Sequence, residues 1–373
     1  MKKVYFTQIN NLIADAIFLP LSVAYIWEYC KTQVTDWELG DIFFERESVE
    51  DYLKKIDNPD ILALSTYVWN WDITCQLARA VKKKYPNCKI VMGGPQVPFK
   101  QSWLEDNPDL CDIIVTYAGE RAFAEILKGN YTYPGVMTKE SYTPPKPDRE
   151  LNDIPSPYLS GLMDSLMQPG KQYSAIIETN RGCPYSCSFC DQQDLYYNKI
   201  AMFDYDRVIG EIDWVVKNKI DFLYFGDSNV GMFNRDVDFI RHIAKRRNET
   251  GYPRQIDYST AKQQPKRIVE LGEILNKEAK IRRGVTIALQ SMNPKTLKAI
   301  KRINLANEKL EQIVGDYNKA GVDNYCELIV GLPEETLETW IEGIGKILEL
   351  GSDHALTVHP VSYTHLRAHE TVS

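Results

Sequence analysis

The first 130 residues alternate short apolar runs with segments whose apolar positions recur every three or four residues. The short runs predict β-strands, and the longer repeats predict amphipathic helices. The predicted strands are 3–9, 37–45, 61–67, 89–93 and 112–117, and the predicted helices are 22–32, 49–56, 71–84, 100–107 and 121–128. Strands separated by single helices form a parallel, doubly wound, Rossmann-like sheet, here of the flavodoxin type. Such α/β sheets bind ligands at the carboxyl ends of their strands.

The same alternation returns after a segment rich in proline. Residues 131–171 include the run Thr143-Pro-Pro-Lys-Pro-Asp148, and successive prolines favour extended chain, so this segment is interpreted as an interdomain linker. The later strands are 174–180, 222–227, 255–260, 284–290, 325–331 and 355–359, and the later helices are 206–217, 235–247, 265–276, 307–319 and 336–350. Six strand–helix units form a partial (β/α)6 barrel of the TIM type over residues 172–361.

Composition narrows the class of protein. A chain of 373 residues, 44% hydrophobic, is long enough for about two domains with separate cores. The net charge of −7 indicates no basic surface, so nucleic acid is not an expected partner. No apolar run reaches the length of a transmembrane helix. Eight cysteines without a recognisable secretory signal predict a reducing, cytoplasmic location.

The last twelve residues, 362–373, do not continue the barrel pattern. His365 and His369 have the spacing of a helical metal pair, but the segment resembles translated sequencing-adapter read-through. We therefore expect a chain truncated at its C-terminus. The region expected to be missing commonly helps to close such a site and to select the substrate.

Three cysteines lie within eight residues, at Cys183, Cys187 and Cys190, after the first predicted barrel strand. A [4Fe–4S] cluster usually takes four cysteine ligands, so three thiolates would leave one iron open to a substrate or cofactor. A structural zinc site would need a fourth ligand, and no second cysteine pair or nearby histidine supplies one. A disulfide framework is disfavoured by the short spacing and by the compartment. The other cysteines are scattered singly and are interpreted as small buried apolar residues: Cys30, Cys75, Cys88, Cys111 and Cys326.

The stretch from Thr179 to Cys190, with the aromatic Phe189 before the last cysteine, resembles the signature of the radical S-adenosylmethionine (radical SAM) enzymes. The resemblance implies a [4Fe–4S] cluster on the three cysteines and SAM on the open iron. It also implies reductive cleavage of SAM to a 5′-deoxyadenosyl radical, which abstracts hydrogen from a small-molecule substrate. Such an enzyme needs an electron donor, such as flavodoxin or ferredoxin.

Later strand ends resemble the family's SAM-binding segments. Gly226 and Asp227 stand where the family holds the amino group of SAM, although Phe225 replaces a glycine and Asp227 replaces a glutamate. The resemblance implies further contacts: Ser259 or Lys262 with the SAM carboxylate, Gln290 with the ribose hydroxyls, and the backbone near Ile329 and Gly331 with the adenine, beside Phe189.

The strand ends of residues 1–130 resemble the cobalamin (vitamin B12)-binding domains that are fused to one branch of radical SAM enzymes. The candidate cobalamin contacts are Ser65, Thr66, Tyr67, Asn70, Gly93, Gly94, Pro95, Gly119 and Glu120. Paired glycines let a bulky ligand approach the backbone. The first histidine of the chain is His242, so no histidine of this domain can bind cobalt from below.

Three hypotheses follow from these resemblances. The first is a cobalamin-dependent radical SAM enzyme that methylates carbon or catalyses a related transformation. The second is a radical SAM oxidoreductase whose B12 domain is vestigial. The third is a non-catalytic ligand-binding protein on the same two folds, which would leave the open three-cysteine site without a purpose.

Overall fold

The computed structural model of the protein describes residues 1–13, 16–190, 199–262, 264–281, 284–304, 307–350 and 354–360. The chain divides into two compact units, Met1–Ile176 and Ile177–Ser373. The boundary follows the predicted linker, so residues 131–171 belong to the first unit. The tail 362–373, with its two histidines, lies outside the described residues.

The first unit is an α/β domain whose elements match the predicted ones to within a few residues. Its strands are β1 (Lys2–Thr7), β2 (Leu12–Ile13), β3 (Ala16–Phe18), β4 (Trp37–Phe43), β5 (Ile61–Ser65), β6 (Lys89–Gly93), β7 (Ile113–Val115) and β8 (Val136–Met137). Its helices are α1 (Leu21–Gln33), α2 (Val49–Lys55), α3 (Trp71–Lys84), α4 (Gln101–Asp106), α5 (Glu120–Leu127) and α6 (Leu162–Leu166), with a 3₁₀ turn at Leu151–Asp153.

The central sheet has the order β4-β1-β5-β6-β7-β8. The first five strands are parallel, and β8 pairs antiparallel with β7. The parallel strands follow the flavodoxin order, in which the chain reverses direction between β1 and β5. The predicted doubly wound fold is therefore confirmed, and its ligand crevice is expected where β1 and β5 end.

Local sequence explains why these segments fold as they do. Parallel strands covered on both faces read as continuous apolar runs, and Leu62 of β5 and Ile90 of β6 are fully buried. Helix α3 buries Leu77 and Val81 four residues apart, and it ends in three lysines that favour the negative end of the helix dipole. Ser48 caps α2 by accepting a hydrogen bond from the Asp51 backbone N–H at 3.2 Å.

Residues 131–171 are held against the first unit by Arg121. Its guanidinium donates to the Asp148 carboxylate at 2.7 Å, to the Tyr29 hydroxyl at 2.8 Å and to the Glu150 carbonyl at 3.0 Å. Strand β3 also pairs in parallel with the start of β9 (Gln172–Ile177). The proline-rich segment is therefore anchored by side chains that a proline count does not reveal.

The second unit alternates strands with helices, as predicted. Its strands are β10 (Asn180–Arg181), β11 (Ala201–Met202), β12 (Phe222–Val230), β13 (Gln255–Thr260), β14 (Val285–Gln290), β15 (Asn324–Val330) and β16 (His354–Pro360). Its helices are α7 (Tyr205–Lys217), α8 (Asn234–Thr250), α9 (Pro265–Glu273), α10 (Pro294–Ala299), α11 (Asn307–Ala320) and α12 (Leu337–Glu349), and a π-helical turn at Ile274–Glu278 extends α9.

The long strands of this unit pair in parallel, β12 with β13 and β14 with β15 and β16. Between the two groups the Thr260 hydroxyl donates to the Thr286 carbonyl at 2.8 Å. Strand following helix in chain order gives the partial TIM-type barrel expected from the sequence. Within the described ranges, every helix is too short or too polar to cross a lipid bilayer.

Candidate functional site

The three motif cysteines lie on one loop that follows β10. Cys183 and Cys187 are buried and Cys190 is half-buried. The loop is tied by hydrogen bonds from the Cys190 N–H to the Cys187 carbonyl at 3.1 Å and from the Ser188 N–H to the Ile300 carbonyl at 2.9 Å. Across the described part of the chain, no three His, Cys, Asp or Glu side chains converge closely enough to hold a metal ion. The fold therefore gathers the three thiols on one loop without drawing their sulfurs to a common point.

Two cationic side chains lie beside this loop. The buried guanidinium of Arg302 has its Nη1 3.9 Å from the Cys187 sulfur and donates through Nε to Asn304 at 2.9 Å. The half-buried Lys262 ammonium lies 5.5 Å from the ring centre of Tyr185. Burial, and then the charge of Arg302, lower the pKa of Lys262, whereas the cysteines oppose that shift. The loop therefore lies in a positive environment that suits an anionic group.

Sequence reasoning singled out Lys262 but not Arg302. Lys262 follows a predicted strand, where catalytic groups of barrels usually lie. Arg302 follows helix α10 instead, so its distance from any strand end concealed its place beside Cys187. The paired Lys301-Arg302 dipeptide was a visible signal, but nothing in it distinguished a buried guanidinium from a surface one.

Asp227, predicted to hold the amino group of SAM, already has partners inside the protein. The buried Oδ1 accepts from the Thr179 hydroxyl at 2.7 Å, from the Asn180 N–H at 2.9 Å and from the Asn180 side-chain amide, while Oδ2 accepts from the Thr179 N–H at 3.0 Å. Burial raises the pKa of Asp227 to about 7, although the bonds from Thr179 act to lower it. The structure thus gives this carboxyl the task of fixing the residues that precede the cysteine loop.

Asn229, which sequence reasoning did not select, lies two residues further along β12 and contacts a cysteine directly. Its side-chain Nδ2 donates to the Cys183 sulfur at 3.2 Å. Between Phe225 and Val230, five steps along β12 face only two steps along β13, so residues 226–229 form a bulge. Bulges re-aim side chains next to active sites, and this one directs Asn229 at the loop. Gly226 is exposed within the same bulge.

The remaining predicted SAM contacts fall on strand ends or on the apolar cluster beneath them. Phe189 and Ile329 pack against the buried Ile300 and Leu332. Gln290 ends β14 in a left-handed conformation, with φ +69°, at a register shift between β14 and β15. A non-glycine residue held there carries local strain, which is concentrated at functional sites. The other two contacts, Gly331 and Ser259, are exposed, and Gly331 has φ +89°.

In the first unit, the predicted cobalamin residues meet at the carboxyl ends of β1, β5 and β6. The Asn70 side chain donates to the carbonyls of Ile9 and Ser65, both at 3.1 Å, and accepts from the Tyr67 N–H at 2.8 Å. Thr66 donates through its N–H and its hydroxyl to the Gly93 carbonyl. These buried groups therefore join the strand ends to one another. Of the other two predicted contacts, Pro95 is exposed and Glu120 is buried.

The predicted glycines have protein neighbours where a side chain would be. A Cβ on Gly94, which has φ +98°, would lie 2.4 Å from the Thr66 carbonyl oxygen. A Cβ on Gly119 would lie 2.8 Å from the Ile26 side chain. Both glycines are thus explained by close packing within the domain, and contact with a ligand remains a prediction.

The same strand ends carry exposed aromatic side chains. Trp69 stacks on Tyr67, with ring centres 4.4 Å apart and planes 11° apart, while Trp69 remains 44% exposed. Phe99 and Tyr117 are also exposed, with ring centres 5.7 Å apart. Apolar surface concentrated at a ligand-binding edge indicates a large, partly apolar ligand. Of these residues, sequence reasoning selected only Tyr67.

Comparison with known proteins assigns a family to each half of the chain. Residues 12–127 match the B12 binding domain, and residues 177–346 match the radical SAM superfamily. The chain is 33% identical to the cobalamin-dependent radical SAM methyltransferase TokK of Streptomyces tokunonensis, over 96% of this chain and 55% of that protein. Identity and coverage are the same for the 2-(S-pantetheinyl)-carbapenam-3-carboxylate methyltransferase of Streptantibioticus cattleyicolor. The chain thus spans about half the length of the curated relatives it matches.

Solved structures with the same architecture are more distant in sequence. The radical SAM methyltransferase TsrM of Kitasatospora setae has a TM-score of 0.69 at 15% identity, covering 96% of this chain and 73% of that one. The cobalamin-dependent radical enzyme OxsB has a TM-score of 0.68 at 16% identity, covering 99% and 54%. At such identities the likeness concerns the fold. Together with the two domain matches, it confirms the family expected from the cysteine motif and the strand ends: the chain combines a B12-binding domain with a radical SAM domain and belongs to the radical SAM superfamily.

Proposed function

We propose that this chain is a cobalamin-dependent radical SAM enzyme that methylates a carbon atom of a small-molecule substrate, or carries out a related transformation. The observation that carries the proposal is the loop of Cys183, Cys187 and Cys190, with Lys262 and Arg302 beside it. Three thiols match the ligands of a [4Fe–4S] cluster with one open iron. Two neighbouring cations offset the negative charge that such a cluster adds to a buried site.

The residues around the loop fit SAM as well. Lys262 or Arg302 would bind the methionyl carboxylate, because each offers positive charge to a carboxylate. For the amino group we favour Asn229 over Asp227. The oxygens of Asp227 are occupied by Thr179 and Asn180, whereas the buried Oδ1 of Asn229 has no hydrogen-bond partner among the described residues.

The nucleotide part of SAM has its own candidate contacts. The strained Gln290 would bind the ribose hydroxyls, and the cluster of Phe189, Ile329 and Leu332 would flank the adenine. When bound, the cluster and SAM supply hydrogen-abstracting radical chemistry, and methylcobalamin supplies the methyl group. The chain's own residues bind and orient these groups and keep water from them.

For cobalamin, the fit rests on the aromatic edge of the first unit. Trp69, Phe99 and Tyr117 offer exposed rings at the strand ends where a doubly wound sheet binds its ligand. No histidine precedes His242, so this domain would bind the cofactor without an imidazole on cobalt.

One observation favours the alternative, a radical SAM oxidoreductase that does not use cobalamin. The space beside Gly94 and Gly119 is filled by Thr66 and Ile26, so these glycines do not by themselves leave room for a ligand. Uptake of cobalamin by the native protein separates the two functions.

We further propose an electron donor such as flavodoxin or ferredoxin and a cytoplasmic location. A radical SAM domain uses a reductant, and all eight cysteines, each within the described residues, are free thiols. Free thiols throughout a chain are typical of a reducing compartment.

The decisive experiment is anaerobic reconstitution with iron and sulfide, followed by assay for 5′-deoxyadenosine from SAM. We expect about four irons per chain, as in a [4Fe–4S] cluster, and release of the nucleoside. Cys187→Ala should reduce release by at least about 100-fold, because a cluster ligand is lost. Cys326→Ala is the matched control, since Cys326 is equally buried in the same unit but lies outside the motif. Undiminished release by Cys187→Ala would refute the proposal.

Cobalamin binding is tested separately, by uptake of hydroxocobalamin measured from its visible absorbance. The double variant Trp69→Ala/Phe99→Ala should weaken uptake by about tenfold or more, because burial of one large aromatic surface is worth roughly 1.5 kcal/mol or more. Trp103→Ala, on the helical side of the same unit, should leave it unchanged. If the native protein takes up no cobalamin yet releases 5′-deoxyadenosine, the oxidoreductase alternative replaces methyl transfer.

A further inference from the structure

The side-chain amide of Asn229 is directed at a cluster ligand. Its Nδ2 lies 3.2 Å from the Cys183 sulfur, and the residue is 4% exposed. The bulge of residues 226–229 sets this direction. The Asn229 backbone carbonyl also accepts from the Met232 N–H at 3.3 Å, which holds the end of the strand in place.

Stability alone does not explain an amide at this position. The Oδ1 atom of Asn229 is buried, and it has no hydrogen-bond partner in the described part of the chain. A buried polar atom left unpaired costs about 1–3 kcal/mol, so an apolar side chain of similar volume would be more stable here. The retained amide therefore points to a task at Cys183.

We infer that Asn229 donates a hydrogen bond to the Cys183 thiolate of the bound cluster and thereby raises the cluster's reduction potential; this inference rests on the proposed function. Hydrogen bonds to ligand sulfurs are among the factors that set iron–sulfur potentials. One-electron reduction adds a negative charge, part of which falls on the sulfurs. The N–H···S bond is then stronger in the reduced state, and reduction is favoured. Asn229 is thus a positioning residue that acts through Cys183.

The test is a redox titration of the reconstituted protein without SAM, followed by electron paramagnetic resonance of the reduced cluster. Asn229→Leu keeps a similar volume and removes the donor. We expect the equilibrium constant for one-electron reduction to fall about tenfold, a shift of about 59 mV to more negative potential. A change of less than twofold would overturn the inference.

Asn324→Leu is the matched control. Asn324 is a buried amide of the same unit, at the start of β15, and its Nδ2 donates to Asn318 at 3.0 Å rather than to a cysteine. A general loosening of the unit would move the potential of both variants. A direct hydrogen bond to Cys183 moves only that of Asn229→Leu.

A second measurement uses the native protein, so the inference does not depend on a variant that folds. With asparagine labelled by 15N at the side chain, the reduced cluster should show a 15N hyperfine coupling in pulsed electron paramagnetic resonance. Lack of this coupling overturns the inference while the proposed function stands. If the native protein assembles no [4Fe–4S] cluster at all, both fail, and iron analysis shows this before any titration.

Discussion

Replacing Asp227 by alanine should release the two residues that lead into the cysteine loop. Three well-formed hydrogen bonds end on this carboxyl, from the Thr179 N–H at 3.0 Å, the Thr179 hydroxyl at 2.7 Å and the Asn180 N–H at 2.9 Å. At a net value of about 1 kcal/mol each, their loss amounts to about 3 kcal/mol. Since about 1.4 kcal/mol corresponds to a factor of ten, local opening should become roughly 100-fold more frequent.

Hydrogen exchange measured by mass spectrometry reports this opening directly. The amides of Thr179 and Asn180 should exchange roughly 100-fold faster in Asp227→Ala than in the native apoprotein. A pH of about 6 suits the comparison, because burial raises the pKa of Asp227 to about 7 and the carboxyl is then mainly protonated in both oxygens' shared site.

Asp236→Ala is the control for a general loss of stability. Asp236 is equally buried in the same unit, and it accepts from the Gly231 N–H at 2.8 Å and the Phe233 N–H at 3.0 Å instead. It should therefore expose its own two amides and leave those of Thr179 and Asn180 protected. If both variants affect the latter two amides equally, or Asp227→Ala changes them less than about threefold, the assigned role of Asp227 is wrong.

Three further outcomes are expected. The raised pKa of Asp227, about 7 against an ordinary 3.8, means that its favourable contribution to folding is complete below about pH 4 and is lost as the pH rises through about 7. The unfolding free energy of the native protein should therefore fall over that window relative to Asp227→Asn, and urea titrations showing a constant difference would contradict this. Gly94→Ala should destabilise by about 2 kcal/mol more than Gly129→Ala, because both have positive φ but only Gly94 has a neighbour at 2.4 Å; equal midpoints in urea would refute the packing role. Arg121→Ala should speed limited proteolysis within residues 131–171 about tenfold, because a charge-assisted hydrogen bond is worth roughly 1.5 kcal/mol or more, and an unchanged cleavage rate would show that other contacts hold the segment.

Much of the fold is encoded in local patterns. The predicted strands of the first half differ from the observed ones by a few residues, because each apolar run must be covered on both faces of a parallel sheet. Short elements were missed for the same reason. Strands β2, β3 and β8 contain two or three residues, too few for a periodic pattern to develop.

The chemistry of the cysteine motif was also predictable, since three thiols within eight residues need no tertiary contact to be recognised. The individual roles around it were not. Asp227 and Thr179 are separated by 48 residues, and Arg302 and Cys187 by 115. Which of two nearby polar side chains in β12 meets a cysteine depends on the bulge at residues 226–229, and that bulge is set by pairing with β13.

The sequence by itself therefore determined the two folds, the three thiols and the absence of histidine before His242. Tertiary structure alone decided that Asp227 fixes the chain before the loop, that Asn229 and Arg302 contact its cysteines, and that Gly94 accommodates Thr66. The physical reason is range. Periodicity and spacing act between neighbours in the chain, whereas hydrogen bonds, buried charge and close backbone packing join residues that only folding brings together.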